Sequence, residues 1–257
     1  MTFKQVFLQF NRYYASNFKR PSGFRINSNI IDSVLSKNKT KTEWESLRKD
    51  IIANERHISE VNLDSNIIGM CFKDIRLDIA ESYISFLNSE KIAINDATVG
   101  KLLRLYHVFS VKNGTIAKNE NAILKLYSSL TEKHSLLDAT TAENAIHGLC
   151  VTKDWMKSFE LLDMIRITSS PNATTYSVII TKAFNSACDE VGWKLLDEMV
   201  KNLKEPRSDV YLAWFKNFTK VEELEKMLNF ISDHGLLISD EAIEELSKIF
   251  RGCKYNW

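Results

Sequence analysis

Residues that break helices are scarce in this chain, with 8 glycines and 3 prolines among 257 positions. An all-β fold needs turn residues every ~8–12 positions, so that class is excluded. No apolar run reaches about 18 residues, so no segment reads as a membrane-spanning helix. The four cysteines, Cys71, Cys150, Cys188 and Cys253, are too far apart in sequence to form a Cys-x-x-Cys clip. They read as buried reduced thiols, apart from Cys253 in its polar tail. His107, His134 and His147 are scattered, and no phosphate-cradling glycine loop or Gly-x-Ser-x-Gly occurs. The expectation is no metal and no nucleotide cofactor. A basic excess is missing too, since the net charge is +1. Residues 1–31 hold five basic side chains (Lys4, Arg12, Lys19, Arg20, Arg25) and no acid, which leaves 29 basic against 33 acidic in the rest, a net of −4. Any phosphate-binding surface must therefore be a local patch.

Hydrophobic residues make up 44% and charged residues 26%, enough for a buried core. Phe3, Phe7, Phe10 and Tyr14 fall on one face of a helix, with Lys4, Gln9 and Arg12 largely off it. An amphipathic, arginine-containing, acid-free start has the composition of a mitochondrial leader, with an unfolded basic tail as the alternative. Pro21-Ser22-Gly23 would end any helix there. Residues 1–38 are thus expected to be a largely disordered leader to the mitochondrial matrix, and residues 39–257 the folded domain.

From Thr40 onward apolar residues recur at helical spacing, as in Trp44, Leu47, Ile51 and Ile52, or Val99, Leu102, Leu103 and Tyr106. The runs last about 10–14 residues and are joined by short polar links. They also repeat. Tyr176 and Tyr211 are 35 positions apart, as are Pro171 and Pro206. Leu161-Leu162-Asp163-Met164 returns as Leu195-Leu196-Asp197-Glu198-Met199. A helix pair of this length cannot bury its apolar face alone, so neighbouring pairs must stack. The expected fold is all-α, a right-handed α-α superhelix of about five to six such pairs.

The stretch from Thr174 to Pro206, with its Thr-Tyr first helix and its Leu-Leu-Asp-Glu-Met second helix before Pro, resembles a pentatricopeptide repeat. Thr140 to Pro171 is similar. Weaker units run from Val61 to Ile94, from Asn95 to about Ser135 with an insertion at Asn113–Asn119, and from Asp209 to Ile238. The C-terminal SDHGLLISDEAIEELSKIFRGCKYNW resembles the last helix pair of the repeat domain in the catalytic subunit of protein-only mitochondrial ribonuclease P. That resemblance implies a domain that positions transfer RNA precursors for 5′-leader removal, with methyltransferase and dehydrogenase subunits as partners. It places magnesium or manganese and structural zinc in a further C-terminal part, so no catalytic residue and no metal is expected in this chain, which alone should not cut RNA. Another mitochondrial RNA-processing repeat protein, or a helical scaffold for a protein partner, are the alternatives.

Repeats of this family read RNA from the first helix of each pair and from the residue after the final proline. Carried over by position, the first-helix residues are Asp64, Gly100, Glu143, Ser177 and Leu212, and the residues after proline are Asn172 and Arg207. Gly100 and Leu212 cannot hydrogen-bond a base, so shape recognition of a folded RNA fits better than a linear code. Lys101, Arg104, Lys182, Lys216 and Arg207 are candidates for backbone contact. Tyr176, Tyr211 and Trp214 are candidates for base stacking, with core packing as the competing role.

Overall fold

The computed structural model describes residues 26–37, 39–114, 116–132, 137–217, 221–240, 242–244 and 247–248. Residues 1–25, where most of the expected leader falls, lie outside them, as do His134 and Cys253. Every described secondary-structure element is a helix, as the periodicity predicts. Contacts divide the chain into two units, Met1–Gly148 and Leu149–Trp257.

The first unit holds α1 (Ser28–Leu35), α2 (Lys41–Asn54), α3 (Glu60–Met70), α4 (Leu77–Ser89), α5 (Asp96–Asn113), α6 (Ile116–Thr131) and α7 (Ala139–Leu149, whose last residue already counts with the second unit). Alternate helices pack side by side: α1 on α3, α3 on α5, and α2 on α4. Local chemistry starts several of them. Thr40 and Glu43 form a reciprocal capping box at α2. The Thr40 backbone N–H, the Lys37 ammonium and the Thr40 hydroxyl all donate to the Glu43 carboxylate and hold it down at about 2. At α5 and α7 the caps are Asn95 and Asp138, which accept from the backbone N–H of Thr98 at 2.8 Å and Thr141 at 3.0 Å.

The core of this unit includes Trp44, Ile51, Ile67, Ile79, Tyr83 and Leu87, each at most 1% exposed. Trp44 and Tyr83 rings meet at 4.8 Å. A charge is built into this core. The Arg48 guanidinium donates to Asp64 and to the Tyr83 hydroxyl, and that hydroxyl donates to Asp64 Oδ1 at 2.5 Å. Burial, and next Asp64, push the Tyr83 phenol far above its usual range.

One boundary differs from expectation, and one insertion takes a definite form. Helix α1 lies inside the stretch assigned to the leader, yet it buries Ile31, Val34 and Leu35 and packs on α3. The described fold therefore begins with α1, ahead of residue 39. The insertion expected at Asn113–Asn119 lies where α5 gives way to α6. Gly114 turns the chain at φ 63°, and the extra residues lengthen α5 to 18 and α6 to 16 residues.

The second unit opens with a short 3-10 turn at Trp155–Lys157 and continues with α8 (Ser158–Thr168), α9 (Ala173–Asn185), α10 (Asp189–Lys201), α11 (Ser208–Asn217) and α12 (Val221–Asp233). Asn172 caps α9 by accepting from Thr175 N–H at 2.8 Å. Helix α9 pairs with α10 and lies beside α11. Phe184, Trp193, Trp214 and Phe230 interlock edge to face, with centroids 4.9–6.3 Å apart. Gly192 makes room for this, since a Cβ there would sit 2.3 Å from the Phe184 ring.

After α10 the chain turns through Leu203 at φ 54°, closed by Lys204 N–H to Met199 O at 3.1 Å. After α12 the same turn uses Gly235 at φ 58°, closed by Leu236 N–H to Ile231 O. A side chain in this left-handed region costs roughly 1–2 kcal/mol, part of which glycine gives back as entropy of the unfolded chain. Leu203 is 96% exposed and makes little contact in return. Leu203→Gly is therefore expected to stabilise the protein by up to about 1 kcal/mol, read as a rise in the chemical-denaturation midpoint.

Candidate nucleic-acid interface

Polar side chains line the joins between first helices. In the first unit, Gly100 and Gly148 let α5 and α7 approach closely. A Cβ on Gly100 would lie 3.2 Å from the Thr141 carbonyl oxygen, and one on Gly148 3.0 Å from that of Leu103. Along this contact Arg104 Nη1 donates to Asn144 Oδ1 at 3.1 Å, and His107 and His147 meet edge to face at 5.3 Å. On the other side of α5, Lys101 Nζ donates to the Ser65 carbonyl at 3.0 Å. Desolvation pulls the Lys101 ammonium below its usual range, which raises the return on any phosphate that reaches it.

In the second unit the first helices α9 and α11 contribute Lys182, half-buried, and Lys216, exposed. Two of their charged residues are basic (Lys182 and Lys216) and one is acidic (Asp209). The second helices α8, α10 and α12 carry ten acidic and four basic residues. The first helices of this unit therefore carry a net +1 and the second helices a net −6.

Several of the candidates for RNA contact sit in the core instead. Asp64 is 5% exposed and committed to Arg48 and Tyr83. Tyr176 is fully buried, and its hydroxyl donates to Glu198 Oε1 at 2.6 Å, pinning α9 to α10. Tyr211 and Trp214 are 1% and 3% exposed, so they are core and not stacking platforms. Ser177 is also fully buried, and its hydroxyl cannot reach a base in this arrangement. Asn172 is exposed, but its side-chain oxygen is spent on the helix cap. Arg207 pairs with Asp209 at 3.4 Å. Glu143 is half-buried on α7, beside the Arg104–Asn144 contact. Asp64 and Ser177 share a physical reason: the position after Thr-Tyr faces a neighbouring helix as much as the layer's surface, so close helix packing covers a small side chain there. Lys101, Arg104, Lys182 and Lys216 remain as cationic groups on the first helices.

Sequence reasoning missed Asn144, His107 and His147 as one polar contact. It also missed Trp193 and Phe230, two half-exposed aromatics of the second unit. Glycines 48 positions apart on different helices gave no local signal that α5 and α7 would touch.

No protein-family model and no curated protein matches the sequence. Among solved structures, the chain is similar to the pentatricopeptide repeat protein PPR10, seen in complex with an 18-nucleotide psaJ RNA element both as such and as a triple cysteine-to-serine variant. Each comparison has a TM-score of 0.55 at 15% identity, covering 94% of this chain and 35% of that protein. The likeness establishes a pentatricopeptide-type helical-repeat fold, and the chain spans about a third of PPR10's length.

Proposed function

We propose that this chain is an RNA-binding repeat domain that grips a folded RNA through the cationic side chains of its first helices. The observation that carries the reading is the placement of Lys101, Arg104, Lys182 and Lys216 on first helices of a fold shared with an RNA-bound repeat protein. The burial of Asp64, Tyr176 and Ser177 favours recognition of RNA shape and backbone over a one-base-per-repeat code. A transfer RNA precursor, held for 5′-leader removal in the manner of protein-only mitochondrial ribonuclease P, is the ligand that best suits such a surface. In that reading the chain works in the mitochondrial matrix, beside a metal-dependent nuclease domain and methyltransferase and dehydrogenase subunits. Leader cleavage then falls ahead of α1, which is part of the packed fold.

Filter binding to a transfer RNA precursor tests this. About four phosphate contacts give a slope near −3 in log affinity against log salt. The double variant Lys182→Glu/Lys216→Glu is expected to lose at least tenfold in affinity, and an unstructured oligonucleotide of equal length to bind more weakly than the precursor. A protein scaffold without RNA function would show no affinity and no salt slope.

A further inference from the structure

An open cavity of roughly 730 Å³ lies between the second helices α10 and α12, and none of the residues assigned above to RNA lines it. Its floor presents two half-exposed aromatic rings, Trp193 and Phe230, meeting edge to face at 5.4 Å. Asp197, Glu225 and Asp233 stand among its lining residues, with Lys194 and Lys226. The structure already shows what such a ring attracts: the Lys226 ammonium sits 4.5 Å from the centroid of Trp193. Indole faces bind cations through their negative quadrupole, and a guanidinium stacks on them better than an ammonium.

The cavity lining itself holds three acidic side chains against two lysines, and the layer behind it is more acidic still. The second helices of this unit carry ten acidic residues against four basic ones. Asp197 is already engaged by Lys201 at 2.6 Å, which leaves Glu225 and Asp233, both exposed, to meet an incoming charge. A phosphate chain would be repelled by this layer, whereas an arginine side chain would find an aromatic face and carboxylate acceptors together. We propose that this cavity is a docking site for an arginine side chain presented by a basic segment of a partner protein, with Lys226 as the internal cation that arginine displaces. The first-helix and second-helix layers of this unit thereby serve opposite charges, so that RNA and a basic partner need not compete.

The test uses the full chain and a fluorescein-labelled Gly-Arg-Gly-Arg-Gly peptide, read by anisotropy, against the same peptide with neutral citrulline in place of arginine. The arginine peptide is expected to bind at least tenfold more tightly than the citrulline form. Glu225→Gln/Asp233→Asn, both on exposed positions, should lose at least fivefold. Lys226→Ala should tighten binding severalfold by freeing the Trp193 face, and by more than Lys194→Ala, which removes the same charge from the rim. Equal binding of the citrulline peptide would overturn the proposal. So would an unchanged Glu225→Gln/Asp233→Asn variant, equal effects of the two lysine changes, or displacement of the peptide by oligouridylate with tenfold or greater effect.

Discussion

Asp64→Ala is expected to cost about 3–5 kcal/mol, the range for breaking a buried ion pair by removing one partner. The Arg48 side chain is 18% exposed and that of Asp64 7%, so little water is available to replace the lost carboxylate. The change strands two donors at once, because the guanidinium and the Tyr83 hydroxyl both donate to Asp64. A typical domain has about 5–15 kcal/mol in total, so the loss is a large part of what holds the first unit together. The double change Arg48→Met/Asp64→Leu is expected to be milder than Asp64→Ala alone, because it leaves no uncompensated charge. Chemical denaturation followed by circular dichroism reads both. A loss below about 1 kcal/mol for Asp64→Ala would mean that the Arg48–Asp64–Tyr83 group is not formed. The same experiment separates the two roles assigned to Asp64, since a base-reading residue would lose RNA affinity at unchanged stability.

The fold was legible because it is written in periodicity. Apolar residues at three and four positions, and Tyr176 repeating at Tyr211, depend only on helix geometry and on the length of one pair. The N-terminal pair was only half read. Ile31, Val34 and Leu35 form a short apolar face, but they follow a leader-like composition that drew attention away from it. The site was less legible because exposure is a property of packing between helices distant in sequence. Ser177 occupies the position where a reading residue is expected, yet which flank of α9 is covered depends on how its neighbours seat against it. Lysines fared better, because a long side chain with a charged end remains at the surface when its stem is buried. Lys216 is exposed, whereas Lys101 is the exception, its desolvated ammonium held on the Ser65 carbonyl.

Trp214→Ala should separate core from contact in the second unit. Trp214 is 3% exposed, and its ring meets Phe184 at 4.9 Å and Trp193 at 5.0 Å. Removing a buried aromatic of this size costs about 3–5 kcal/mol, through lost burial and the cavity left behind. Trp214→Phe should retain most of the stability, since the edge-to-face partners keep an aromatic ring between them. Were the indole a base-stacking platform, the alanine variant would instead lose roughly 1–3 kcal/mol of RNA affinity and almost no stability. Lys216, two residues further along α11, provides the opposite case. It is exposed, so Lys216→Ala is expected to leave the unfolding midpoint within about 0.5 kcal/mol of the parent while lowering RNA affinity and flattening the salt slope by about one contact. Measured in one preparation, by denaturation and by filter binding well below the melting temperature, the two variants should fail in different assays. If Trp214→Ala kept its stability and lost RNA, the aromatic ladder would belong to the binding surface, and the assignment of α11 as a helix with one buried aromatic flank and one basic exposed residue would fall.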